Sequence, residues 1–172
     1  MNINAIANKL RKHTIIAIKS AKSGHPGGSL SIIEILAVLY FDELQIDPKN
    51  PSWKSRDRFI LSKGHACPAL YATLAARGFF PEQELNTLRK ITGKLEGHPA
   101  IDIPGIDAPS GSLGMGLSQG LGMAWGAKYQ KKTYRTYVLL GDGDMQEGNT
   151  WEALMLAPFK KISQLVAIYD SN

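Results

Sequence analysis

Two stretches near the C-terminus decide the fold: Tyr137-Val138-Leu139-Leu140-Gly141-Asp142-Gly143, and then Leu165-Val166-Ala167-Ile168-Tyr169-Asp170-Ser171-Asn172. Each opens as a short, continuous apolar run, the pattern of a strand buried on both faces of a parallel sheet. Residues 147–159 between them read as a helix, so roughly the last 35 residues make one strand–helix–strand unit. Asp142 and Asn172 are spaced by about one such repeat. If the strands are parallel neighbours, both side chains emerge at the carboxyl edge of the sheet, where open α/β sheets bind ligands. A carboxylate and an amide oxygen form a hard, sparse ligand set. It suits an Mg²⁺ that keeps water and takes its remaining ligands from phosphates. Gly143 lets a phosphate approach a backbone N–H. An ordinary strand-to-helix turn can carry the same Gly-Asp-Gly; the spaced asparagine is what argues for a site.

Upstream, residues 113–130 predict a helix rich in small residues, among them Gly114, Gly116, Gly120, Gly122, Ala124 and Gly126. An interior glycine costs about 1 kcal/mol against alanine, so close backbone packing or a ligand is expected to compensate. Residues 91–112, punctuated by glycines and prolines, read as an irregular loop of ~20 residues, a length more often functional than idle. Arg58-Phe59-Ile60-Leu61 predicts a third strand that runs into Ser62-Lys63-Gly64-His65, then a helix ending at Gly78. Pro81 suits the first turn of a short helix reaching to about Arg89. Residues 3–21 form a helix that Ser23-Gly24-His25-Pro26-Gly27-Gly28 must stop. Ser31 and Glu34 have the spacing of a capping box ahead of a buried helix over 31–43. Strands alternating with helices give an α/β fold, a parallel sheet with helices on both faces, in one domain over 1–172.

The chain has 172 residues, 44% hydrophobic and 20% charged, which excludes disordered, collagen-like and disulfide-scaffold classes. The net charge is +5, but the cationic residues are scattered and not interleaved with aromatics. No nucleic-acid partner is expected; phosphorylated small molecules suit such a surface. The single cysteine, Cys67, excludes an internal disulfide and fits a reducing compartment. It reads as a small apolar filler beside Pro68 and Ala69, with a nucleophile as the alternative. No stretch approaches the ~18 apolar residues of a membrane span, and Met1 to Leu10 lacks a signal-peptide run. A cytoplasmic protein with no membrane partner is expected.

An EF-hand starting at Asp142 fails for want of a glycine at its sixth position. Gly114-Met115-Gly116 follows a loop rather than a strand and is no dinucleotide fingerprint. Three of the four histidines stand in glycine-flanked loops: His25, His65 and His98. A turn histidine is often a local hydrogen-bonder, yet three in such settings point to proton shuttling and to contacts with hydroxyls and phosphates. His13, on the first helix, reads as structural. Glu147 opens the helix after the Asp142 loop. The helix dipole favours a glutamate there; beside a metal–phosphate site it could also hold a proton.

Taken in order, these motifs resemble those of transketolases: Ser23-Gly24-His25-Pro26-Gly27, Ser62-Lys63-Gly64-His65-Ala66, Gly97-His98-Pro99, Gly111-Ser112-Leu113-Gly114-Met115-Gly116, Gly141-Asp142-Gly143 through Glu147-Gly148, and Asp170-Ser171-Asn172. The chain looks like the pyrophosphate-binding half of a thiamine diphosphate enzyme in which two polypeptides share the work. The resemblance implies that Asp142 and Asn172 ligate Mg²⁺ (Ca²⁺ or Mn²⁺ in its place), with a main-chain carbonyl just past Asn172 as third protein ligand. It implies that His65, Gly141 and Gly143 contact the diphosphate, and that Gly111 and Leu113 lie near the aminopyrimidine. His25, His65 and His98 would line the sugar channel, and Glu147 would join a carboxylate network at a subunit interface. The implied reaction moves a two-carbon ketol unit from a ketose phosphate to an aldose phosphate, as in the pentose phosphate pathway. The domain is expected to be incomplete at its C-terminus and the pyrimidine-binding domain absent. Activity then requires a C-terminal transketolase subunit, in a dimer or heterotetramer. Helix 31–43 and helix 113–130 are the candidate contacts, or else core. One alternative is a deoxyxylulose-phosphate synthase, a family whose first histidine motif lacks Gly-His-Pro-Gly-Gly. The other is a non-catalytic scaffolding subunit.

Overall fold

Residues 2–172 are described by a computed structural model. In chain order the elements are α1 (Ile3–Ala21), α2 (Pro26–Leu30), α3 (Ile33–Val38), β1 (Arg58–Leu61), α4 (Cys67–Arg77), α5 (Met115–Tyr129), β2 (Thr136–Leu140), α6 (Gly148–Phe159) and β3 (Leu165–Tyr169), with short 3₁₀ turns at Gly64–Ala66, Glu82–Thr87 and Asp144–Gln146. The three strands pair in parallel in the order β1-β2-β3. Phe59 lies opposite Tyr137, and Leu140 opposite Tyr169. Every residue of β2 is buried, as the unbroken apolar run predicts for a central parallel strand.

Strand alternation sorts the side chains between two layers. Phe59, Leu61, Tyr137 and Leu139 join a core built with α1, α3 and α4, while Ile60, Val138 and Leu140 join Leu117, Leu121, Ala124 and Ala153 of α5 and α6. Helices cover both faces. Among the described residues, no helix is long and apolar enough to cross a membrane.

The glycines of α5 have a packing reason. A Cβ on Gly120 would collide with Val138 of β2, and one on Gly116 with Ser62 just past β1. The helix backbone therefore lies directly on the strands, and burial compensates for the poor helix propensity. Gly122, on the outer side, meets nothing within 4 Å.

Two expectations for the 31–43 stretch need correction. The capping box does not form: the N-cap of α3 is Ile32, without a side-chain cap. The Ser31 hydroxyl instead bonds the Asp170 carboxylate at 2.7 Å, and Glu34 pairs with Arg11. The hydroxyl is turned to donate to a charged acceptor far along the chain, and the helix is capped one residue later, at Ile32. Nor is 31–43 one regular helix. After Val38 it widens into a π turn over Leu39–Glu43, closed by Leu44 N to Leu39 O at 2.8 Å. Ile32, Ile33, Leu36, Ala37, Leu39 and Tyr40 are all buried, so this stretch is core in this chain and not a free contact surface.

Gly120→Ala is expected to lower stability by about 1–3 kcal/mol through overpacking against Val138. Gly122→Ala should raise it by about 0.5–1 kcal/mol by removing backbone freedom. Urea unfolding midpoints of the two variants check the opposite signs.

Candidate active site at the carboxyl edge of the sheet

The three strands end side by side, and the loops leaving them converge. From the end of β1, Lys63 turns toward the α1–α4 face. Its ammonium bonds Asp170, just past β3, at 2.6 Å, with the two side chains only 2% and 9% exposed. To make that span it must pass over the end of β2. Gly141 stands there, where a Cβ would lie 3.2 Å from Lys63 Cδ. Ser31 braces Asp170 from the loop after α2.

Asp144 ties the opposite face. It is fully buried and accepts from Ser62 Oγ at 2.5 Å, Gly114 N at 2.8 Å and Gly141 N at 2.9 Å. Gly114 takes φ +82° at the N-terminus of α5, a conformation glycine adopts without penalty, and has Glu147 packed against the place of a Cβ. One carboxylate thus joins the ends of β1 and β2 to the start of α5.

The sequence-nominated residues gather around this frame. The His25 and His65 rings lie 5.1 Å apart at 59°. A Cβ on Gly111 would sit 3.4 Å from His98 Cδ2, and one on Gly64 would sit 3.0 Å from Gly111 N, so the His98 and His65 loops meet at Gly111. Leu113 reaches Gly143, whose Cβ position is 2.7 Å from Leu113 Cδ1. A cavity of about 320 Å³ lies alongside, lined by Ser110, Gly111, Ser112, Met115 and Gln119. Asp142, exposed, opens the turn after β2, with its carbonyl bonded by Met145 N. Asp170 N donates to Leu140 O at 2.9 Å and carries the pairing one step beyond Tyr169. That register brings the Asp142 and Asp170–Asn172 segments to the same sheet edge; Asn172 is exposed. Glu147 is the N-cap of α6, without a side-chain cap bond.

The His65 imidazole has a lowered proton affinity. Burial first, then the neighbouring His25, Lys63 and His98, hold it below the ordinary 6.5, so it is a neutral imidazole at neutral pH. His13 lies apart from the cluster, 3.7 Å from Glu82. Cys67 is fully buried and its thiol donates to Gly97 O at 3.1 Å. Burial pushes it up to about 12, which leaves it a filler without nucleophilic thiolate. Among the described residues no group of three or more His, Cys, Asp or Glu side chains could hold a metal by itself.

The motif reading passed over Lys63, Asp144 and Asp170 as site-building residues. The usable signals were a charged residue directly after a buried strand and a second aspartate beside Gly-Asp-Gly. It also passed over α6 as a surface: Trp151, Met155 and Phe159 are 51%, 67% and 76% exposed.

The chain is similar to known proteins along almost its whole length. The family model for the thiamine diphosphate binding domain of transketolase matches residues 3–172. The chain is 46% identical over 166 residues to one subunit of the apulose-4-phosphate transketolase of Phocaeicola vulgatus, covering 96% of this chain and 59% of that one. It is 49% identical over 170 residues to the transketolase of Mus musculus, covering 96% of this chain and 27% of that one. The crystal structure of transketolase from Campylobacter jejuni superposes with a TM-score of 0.96 at 38% identity, over all of this chain and 29% of that one. The chain thus spans 59% of the length of the Phocaeicola vulgatus subunit and 27% of that of the Mus musculus transketolase.

Asp144→Ala should cost on the order of 3 kcal/mol or more, because it strands two buried backbone N–H groups; the urea midpoint checks it. A second outcome concerns pH. Below 6.5 the unfolded chain binds a proton on His65 that the folded chain resists. Stability present at neutral pH is therefore lost as pH falls through the depressed folded value. His65→Gln should shrink the difference in urea midpoint between about pH 7.5 and about pH 5.5.

Proposed function

Since this chain belongs to the transketolase family, as its thiamine diphosphate-binding domain, we propose that it is the N-terminal half of a split transketolase. With a partner chain carrying the pyrimidine-binding domain, it moves a two-carbon ketol unit from a ketose phosphate to an aldose phosphate. The observation that carries the reading is the convergence of His25, His65, His98, Gly111, Leu113 and Gly143 on the edge where β1, β2 and β3 end.

The donor chemistry fits the cofactor. Exposed oxygens of Asp142 and Asn172 are hard ligands of the kind Mg²⁺ prefers, and their small number leaves places for water and diphosphate oxygens. Bound thiamine diphosphate would supply the electron sink for carbon–carbon cleavage. The chain's own groups do the rest. Gly143 would present backbone to the diphosphate, with His65 as a further contact, and Gly141, whose N–H is held by Asp144, would line the approach. Gly111 and Leu113 would border the aminopyrimidine. Neutral His65, with His25 and His98, takes and returns protons at the sugar hydroxyls.

The shares of the relatives covered support a partner-dependent enzyme, assembled as a dimer or heterotetramer. Glu147 and the apolar outer face of α6 are the surface offered to that partner. An enzyme of carbohydrate metabolism acting in the cytoplasm, with Mg²⁺ replaceable by Ca²⁺ or Mn²⁺, completes the reading. A scaffolding subunit that kept the fold is the second reading, and the intact cluster of three histidines with Asp142 weighs against it.

Calorimetry with thiamine diphosphate and Mg²⁺ separates the two. Heat is expected only when a pyrimidine-domain chain is present, and Asp142→Ala or Asn172→Ala should weaken binding on the order of 100-fold or more, since even outer partners of metal ligands cost 10–100-fold. No heat in either case supports the scaffold; turnover by this chain alone overturns the need for a partner.

A further inference from the structure

Arg89 enters the sequence reading only as the end of a short helix, yet it touches two of the three histidine loops. Its backbone is left-handed, φ +56°, and its N–H bonds Leu95 O at 2.8 Å, closing the turn over residues 90–94. Its Nη1 donates to Ser23 Oγ at 2.7 Å, two residues before His25. Its Nη2 donates to Gly97 O at 3.4 Å, immediately before His98. The fit on Gly97 is close: a Cβ there would stand 3.0 Å from Nε and 3.1 Å from Cζ. The Nε is buried without a partner, so the guanidinium stays in place at the expense of one donor. The His98 loop has further anchors in Tyr71 OH to His98 O at 2.8 Å and the Cys67 thiol. Among the described residues, the Ser23 hydroxyl bonds Arg89 alone.

We infer that Arg89 is a positioning residue for the proposed ketol transfer: its forked donors set the His25 loop and the His98 loop at a fixed separation, so that both imidazoles meet one sugar. The inference rests on the proposed function for its consequence in catalysis, not for the geometry. A lysine cannot replace it, because a single point donor reaches one loop and not both.

The four histidines make the test direct, since each ring gives one Cε1–H signal by NMR. In Arg89→Ala the His25 and His98 signals should move and broaden while that of His13 stays. Ser23→Ala, the milder variant, should move the His25 signal and leave His98. Arg89→Lys should fail to restore both. In the complex with a pyrimidine-domain chain, Arg89→Ala should raise the KM for the donor sugar about tenfold, or about 1.4 kcal/mol. The affinity for thiamine diphosphate should not change, because Asp142 and Asn172 sit on the ends of β2 and β3. Unmoved His25 and His98 signals, full rescue by lysine, or a joint loss of cofactor and sugar binding would overturn the inference. If the wild-type complex transfers no ketol unit, the proposed function fails, and the NMR comparison still decides whether Arg89 sets the loops.

Discussion

Everything at the functional edge hangs on one buried ion pair, Lys63 with Asp170. Parallel strands are joined by distant crossovers, so their ends have no local reason to stay level. A charged side chain that leaves the first strand, crosses the second and ends on the third holds all three. Burying such a pair is no cheap route to stability. What it supplies is geometry, because the ammonium is satisfied in only one arrangement of the three ends. Gly141 is the part of this device that looks like a phosphate loop and is also a passage for the lysine stem.

Asp144 plays the complementary part on the other face, where its two oxygens collect one hydroxyl and two backbone N–H groups. The glycine-rich α5 then lies flat on the strands, and its first residue is pinned to the same carboxylate. Among the described residues, the exposed Asp142 makes no side-chain hydrogen bond to this frame, as the proposed function requires of a group kept for a ligand. A site is often recognised by the polar group that has nothing structural to do.

Much of this was legible before any coordinates. The apolar runs located β1, β2 and β3, Gly78 marked the end of α4, and the spacing of Asp142 from Asn172 implied their shared edge. Local pattern sufficed because each of those features is encoded within a few residues. The rest was not local. Lys63 finds Asp170 over a separation of 107 residues, Ser62 finds Asp144 over 82, and Arg89 finds Ser23 over 66. A capping box at Ser31 was a sound local reading that lost to one of these distant partners. The apolar stripe over 31–43 reported burial correctly, but the widening at Leu39–Glu43 depends on how that helix meets its neighbours, which spacing does not encode.

The outward row of Trp151, Met155 and Phe159 on α6 has a cellular corollary. An orphan copy of this chain carries a sticky flank that water penalises, and contiguous exposed apolar surface invites association with whatever is nearby. Supply of the chain in excess of its cover would be trimmed by chaperones and proteases. In the proposed two-chain enzyme, a molecule that shields α6 would then set how much of this polypeptide persists.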